Sequence, residues 1–206
     1  MVKKKFVVGL TGNVGSGKTV VAELFAKKNI FVIDADVMAR ELSEQPDIKE
    51  KIIEFFSKDI LLSDGSLNRK KLLQIILENP EKKEWLETLL HPLIFERMKK
   101  SIKEATSPYV IFVMPLLFEE NYQTFFDRVC FVVARDDLKI TRILKRDHVT
   151  SKIAHRLLNA QFPTEKGMNL ADDVVTNNGT IEELIPQINR LHRLYIKRVS
   201  LPNLID

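Results

Sequence analysis

Gly12-Asn13-Val14-Gly15-Ser16-Gly17-Lys18-Thr19 is the stretch that decides the fold. It fits G-x-x-x-x-G-K-[ST] in full. Glycines admit positive φ, so successive backbone N–H groups can turn inward around phosphate oxygens. Asn13 is not glycine, but asparagine tolerates the left-handed region better than most residues. A helix that starts at the end of this loop points its N-terminus at the bound anion. The pattern predicts that residues 12–19 hold ATP, that Lys18 reaches the β- and γ-phosphates, and that Thr19 offers its hydroxyl to Mg²⁺.

The flanks supply the context that this loop needs. Phe6-Val7-Val8-Gly9-Leu10 reads as a short buried strand. Lys18 to Lys28 reads as a helix with Val21, Leu24 and Phe25 at core spacing, and Asn29 is placed to end it in a left-handed conformation. Ile30-Phe31-Val32-Ile33 is a second buried strand. Strand, helix, strand in this order is a parallel βαβ unit. From about Val37 to Thr106 the apolar spacing is helical, too long for one crossover helix, which predicts an inserted helical subdomain. Strands return at Tyr109 to Val113 and Arg128 to Ala134. Asp136 to Gln161 is helical and ends before Pro163. Val174-Val175 fits a short last strand. Thr180-Ile181-Glu182-Glu183 has the form of a capping box, and Pro186 is expected to kink or shorten the closing helix.

Composition narrows the class. The chain has 206 residues, 45% hydrophobic and 29% charged, as expected of a single soluble unit with inserted subdomains. The lone Cys130 lies in an apolar run, has no partner for an internal disulfide, and reads as a small buried hydrophobe. No apolar run approaches the ~20 residues that span a bilayer, and the short stretch after Met1-Val2-Lys3-Lys4-Lys5 does not form a signal peptide. The expectation is a cytoplasmic protein without membrane partners. The formal net charge is +4, and Arg135 to Lys166 holds eight basic against four acidic side chains. A local basic excess suits an anionic ligand. Aromatic residues are too sparse there for base stacking, so no nucleic acid is expected.

Further residues point to phosphate transfer. Arg142 and Arg146 lie four apart on one helical face, with Lys139 a turn earlier, as a lid that reaches phosphate oxygens would require. Ile33-Asp34-Ala35-Asp36 follows the second strand. Read as extended, it projects both carboxylates to one side, at the carboxyl end of the sheet where the phosphate loop also lies. One carboxylate orients the acceptor hydroxyl and takes its proton, with Asp36 preferred, and the other orders Mg²⁺ through water. Helix capping is the structural alternative for both. A GTPase switch would carry N-K-x-D, which Thr176-Asn177-Asn178-Gly179 does not fit. A small-molecule kinase fits better, and a nucleoside or nucleoside monophosphate remains an alternative acceptor.

The residues together resemble the dephospho-coenzyme A kinase family. The likeness runs through Gly9 to Thr19, Ile33-Asp34-Ala35-Asp36 with Arg40, Leu90-His91-Pro92-Leu93-Ile94, Pro115-Leu116-Leu117-Phe118-Glu119, Arg146-Asp147, and Ala171 to Gly179, in the same order. The resemblance implies a three-layer α/β/α P-loop NTPase fold with a parallel sheet. Its nucleotide-binding core would be 1–33, 108–135 and 168–206, its helical acceptor-binding domain 34–107, and its lid 136–167. It implies transfer of phosphate from ATP to the ribose 3′-hydroxyl of dephospho-coenzyme A, in a monomer or weak homo-oligomer. By carry-over Asp36 is the base, and Asp36, Arg40, His91, Leu116, Leu117 and Glu119 meet the acceptor. Arg142 and Asn178 lie at the nucleotide. Lys18 and Arg146 stabilise the transferring phosphate. Thr19 and Asp34 are the metal-side residues. From sequence alone His91 could equally break a helix before Pro92, and Leu116 to Phe118 could be plain core. One position departs from the pattern. Many members carry an aspartate where this chain has Val113, which shifts the metal-side burden to Thr19, Asp34 and water, or leaves Mg²⁺ held mainly by ATP itself.

Overall fold

A computed structural model describes residues 5–147 and 149–200, without the side chain of Asp147. The Asp147 half of the Arg146-Asp147 pair and both chain ends therefore lie outside the described residues. The chain divides into two compact units, residues 1–34 with 102–206 and residues 35–101. The segment expected as a lid falls within the first.

The first unit is built on five parallel strands: β1 (Phe6–Gly12), β2 (Phe31–Asp34), β3 (Tyr109–Val113), β4 (Arg128–Val133) and β5 (Asp173–Thr176). Their spatial order is β2-β3-β1-β4-β5. β1 is central because its residues, Thr11 apart, are apolar or glycine, and all but Phe6 are buried. Between the strands run α1 (Lys18–Ala26), α6 (Asp136–Asp147), α7 (Ser151–Asn159) and α8 (Thr164–Leu170), and α9 (Ile181–Ser200) follows the last strand. Helices α1 and α9 cover one face. Val8, Leu10, Ile111, Val113, Cys130 and Val132 meet Phe25, Ile188, Leu191 and Tyr195 there in one fully apolar cluster. Burial pushes the Cys130 thiol up to about 12, so it acts as the small hydrophobe its sequence context indicates. The opposite face carries an aromatic ladder, with Phe131 on Phe118 and Phe118 on Phe162 at ring separations of 5.8 and 5.5 Å.

The expected strand positions hold to within a residue or two. Asn29 ends the first helix region at φ 59°, in the left-handed conformation expected of it. Two features differ. Helix α8 was not expected, because Pro163 reads as a stop; here it precedes the first residue of a new helix, where its fixed φ and missing N–H cost nothing. Helix α9 runs its 20 residues through Pro186 without ending. At the start of α9, the Glu183 carboxylate folds back over Gly179.

The second unit is helical, as expected: α2 (Ala35–Ser43), α3 (Pro46–Phe56), α4 (Arg69–Glu78) and α5 (Pro80–Glu104), whose last turn crosses into the first unit. Ile48, Ile52, Phe56, Ile60, Leu72, Leu86 and Leu90 form its own core, and Phe55 stacks flat on Trp85 at 3.9 Å. Pro92 does not break α5, so the helix-breaking reading of His91 fails.

At the amino end of the sheet, Arg128 Nε and a terminal nitrogen clasp both oxygens of the buried Asp173 at 2.9 and 3.2 Å. Tyr195 Oη donates to the same carboxylate at 3.0 Å, joining β4, β5 and α9. The Asp173 pair keeps the Arg128 guanidinium charged, moving its pKa up against a smaller opposing effect of burial. Removing the carboxylate leaves a buried hydroxyl without this acceptor and a largely buried cation with only its contacts to Asp172. Asp173→Ala is expected to cost about 2–3 kcal/mol in urea unfolding, and an unchanged midpoint would contradict this account.

Candidate active site

The phosphate loop follows directly from β1. Gly15 and Gly17 adopt φ of 75° and 93°, both in the left-handed region. Gly17 is also the residue that precedes α1, and any Cβ there would collide with Asn177 Nδ2. Asn13 is not left-handed, contrary to expectation. Its role lies in its side chain, whose amide donates to Phe162 O and to Thr164 Oγ1, both at 3.1 Å.

A peptide that turns its N–H toward an anion turns its C=O away, so the loop's outward carbonyls need donors. They have them. Arg142 donates to Gly15 O at 3.2 Å, to Ser16 O at 3.4 Å and to Asn177 O at 3.0 Å. The buried Asn177 donates to Ser16 O at 2.7 Å. Lys18 Nζ lies over the loop, donating to Gly12 O and to Asn13 O, the latter at 3.2 Å. On the donor side, Val14 N–H is taken by Gln161 Oε1 at 2.8 Å and Ser16 N–H by Asn13 O at 3.1 Å. Helix geometry leaves the first N–H groups of α1 without intrahelical acceptors, directed at the loop's concave side.

A pocket lies over this cradle, lined by Val14, Gly15, Gly17, Lys18, Thr19, Arg142 and Arg146. The structure thus brings both arginines of α6 to the loop. Lys139 behaves differently from its expected reach toward phosphate. It is buried, ion-paired to Asp136 at 2.7 Å, and its backbone packs on Gly15. Asn178 accepts from Arg135 N–H at 2.8 Å, which fixes the turn after β5.

Asp34 is the last residue of β2 and pairs in register with Val113 of β3. Asp36 is not on an extended segment with it, because α2 starts at Ala35 and places Asp36 in its first turn, where a carboxylate complements the helix dipole. The i, i+2 alignment of the two carboxylates is therefore corrected. Asp36, Arg40 and His91 belong to the helical unit, with Asp36 and Arg40 exposed and His91 half-buried. After β3, Leu116 is 46% exposed and Glu119 is exposed, but Leu117 is fully buried against Gly9 of β1. Leu117 is thus a core residue rather than a pocket wall. The alternation of a short turn, not a change of residue type, separates the two leucines.

The sequence reading missed Asn177, Gln161 and the Asn13 side chain as loop supports. Asn177 stood in a quoted motif but was overshadowed by its neighbour. Gln161 carried no local signal, since its partner is 147 positions away.

A glycine loop facing two arginines across one pocket suits a triphosphate held for group transfer, which places the chain among the P-loop kinases. Comparison with known proteins narrows this class. The chain belongs to the dephospho-CoA kinase family, whose profile matches residues 6–183. The dephospho-CoA kinase of Vibrio parahaemolyticus is 42% identical over 193 residues, covering 92% of this chain and 94% of its own. A crystal structure of a Thermus thermophilus protein aligns with TM-score 0.84 at 26% identity, over 93% of this chain and 98% of that one. The structure of dephospho-CoA kinase from Campylobacter jejuni aligns with TM-score 0.63 at 23% identity, over 94% and 99%, a likeness of fold.

Gly17→Ala adds a Cβ where Asn177 Nδ2 must pass and imposes a left-handed alanine. ATP affinity measured by calorimetry is expected to fall at least roughly tenfold, and near-normal affinity would refute the cradle geometry.

Proposed function

We propose that this chain transfers the γ-phosphate of ATP to the ribose 3′-hydroxyl of dephospho-coenzyme A, giving coenzyme A and ADP as the last step of coenzyme A synthesis. The observation that carries the reading is that the family likeness, residues 6–183, runs through both compact units and not through the phosphate loop alone.

In this mechanism the loop N–H groups and Lys18 hold the β- and γ-phosphates. Arg142 and Arg146, which line the same pocket, offset charge that gathers on the transferring group. The acceptor oxygen forms its bond to γ-phosphorus as the bond from phosphorus to the β-phosphate oxygen breaks, and the hydroxyl proton passes to Asp36. Arg40, His91, Leu116 and Glu119 position the acceptor, and Asn178 lies beside the adenine.

Mg²⁺ is treated as part of the Mg-ATP substrate. Among the described residues there is no cluster of three or more His, Cys, Asp or Glu side chains suited to a metal. The exposed Thr19 hydroxyl and the Asp34 carboxylate are hard oxygen donors, which fits an ion that arrives largely coordinated by phosphate and water. The ion would supply charge neutralisation.

No helix among the described residues is long and apolar enough to cross a membrane. Both substrates are water-soluble anions, and we place the protein in the cytoplasm as a monomer or weak homo-oligomer, with no nucleic-acid partner.

Incubation with Mg-ATP and dephospho-coenzyme A, nucleosides, nucleoside monophosphates or shikimate is expected to give product with dephospho-coenzyme A. Turnover of another acceptor in its place would reject the substrate and keep the kinase class. Asp36→Asn is expected to lower kcat by at least ~100-fold, and near-normal turnover would remove Asp36 as the base. Chelation of Mg²⁺ is expected to abolish turnover of every accepted substrate.

A further inference from the structure

One segment of the sheet unit reaches the outer limb of the phosphate loop from outside. The joint between α7 and α8, residues 161–164, delivers three hydrogen bonds to residues 13 and 14 only. Gln161 Oε1 takes the Val14 N–H at 2.8 Å, while Phe162 O and Thr164 Oγ1 share the Asn13 side-chain amide at 3.1 Å each. Asn13 is 7% exposed, whereas Val14 and Gln161 are half-buried.

The joint is itself fixed to the sheet. Phe162 stacks on Phe118, which packs on Phe131 of β4. Lys166 Nζ sits 5.2 Å from the centre of the Phe162 ring, on its other flank. Gly167 of α8 lies so close to Phe131 that a Cβ there would stand 2.6 Å from the ring. Gln161 therefore presents its acceptor from a rigid support rather than from a free loop.

We infer that Gln161 is a positioning residue of the nucleotide site, one that acts through Val14 rather than by touching ATP. Val14 lines the pocket, next to the left-handed Gly15. The N–H of Val14 belongs to the Asn13–Val14 peptide, whose carbonyl, Asn13 O, accepts from Ser16 N–H at 3.1 Å and from Lys18 Nζ at 3.2 Å. With that N–H committed to Gln161 and that carbonyl to Ser16 and Lys18, the Asn13–Val14 peptide is held at both of its polar ends, directly before the left-handed Gly15. Without Gln161 this peptide loses its one donor-side anchor, and ATP binding must order the outer limb first. The same bonds hold the end of the lid segment on the loop. Its beginning is held there too, by Arg142 and the Lys139 backbone.

The inference rests on the reading of residues 12–19 as the ATP cradle and is independent of which acceptor is used. The test compares wild type, Gln161→Leu and Gln161→Glu. Leucine keeps the bulk and loses the acceptor; glutamate keeps an acceptor at the same reach. Binding of Mg-ATP and of dephospho-coenzyme A is measured by calorimetry, stability by thermal unfolding, and backbone order by amide hydrogen exchange across residues 12–19.

For Gln161→Leu the expected result is ATP affinity weaker by roughly five- to tenfold, dephospho-coenzyme A affinity within about twofold, a nearly unchanged unfolding midpoint, and faster exchange confined to residues 12–19. Gln161→Glu restores the slow exchange. ATP affinity within about twofold of wild type, or parallel losses in both affinities and in the midpoint, would overturn the inference. So would continued fast exchange in Gln161→Glu. Failure of the wild type to phosphorylate dephospho-coenzyme A while binding ATP would reject the proposed acceptor and leave this inference standing.

Discussion

The rest of the structure depends on the direction of a few peptide planes. An anion cradle made from consecutive backbone N–H groups turns the matching carbonyls outward, toward protein. Those carbonyls carry partial negative charge and need donors of their own, or the loop relaxes to a conformation that satisfies them. Arg142 and Asn177 meet Gly15 and Ser16 from outside, and Gln161 accepts the N–H of Val14. The phosphate loop is thus half of a structure whose other half comes from α6, from the turn after β5, and from the joint before α8. This arrangement also explains why Arg142 serves two ends. Its guanidinium has five donors; three backbone carbonyls and Asn177 Oδ1 take part of that capacity, and the same side chain lines the pocket.

The sheet gives these partners a common frame. β1 is flanked in register by β3 and β4, so the loop leaves from the middle of the sheet, and supports from either side reach it over short distances. Apolar packing on both faces fixes strand positions, but it is not directional. Direction at the amino end comes from the Arg128–Asp173–Tyr195 contacts, and at the carboxyl end from the loop's own network. The aromatic ladder from Phe131 through Phe118 to Phe162 connects the sheet to the loop supports. Phe118 lies within the turn that presents Leu116 and Glu119, so the proposed acceptor side and the loop supports share one row of packed rings.

Much of this was legible in the sequence because it is local. A strand, a glycine loop and an amphipathic helix fall within 25 residues, and each is specified by its own spacing. Arg142 and Arg146 were legible for the same reason, since their common face follows from helical period alone. What could not be read is what depends on distant partners. Asn13 was explained by backbone tolerance, whereas its side chain bonds to residues some 150 positions on. Leu117 and Leu116 are the same residue type in the same motif, and only the turn after β3 decides which enters the core. Asp34 and Asp36 were aligned by assuming extended chain; the actual switch to helix at Ala35 is a one-residue boundary, the least readable feature of a pattern.

Val113 sharpens the metal question. It is 4% exposed and sits between Leu10 of β1 and Asp34 of β2 in register. A carboxylate at this position would stand directly beside Asp34, and two close carboxylates resist joint ionisation unless a cation lies between them. With valine there, that repulsion is absent, so Asp34 has no like-charged neighbour at the matching position of β3. Under the proposed mechanism a single carboxylate then complements the Thr19 hydroxyl. Valine makes an apolar contact in the core cluster instead. In the proposed mechanism more of the ion's coordination then comes from the phosphates of ATP and from water, so metal affinity would follow nucleotide affinity, which in turn would rest on how firmly the loop's peptide planes are held.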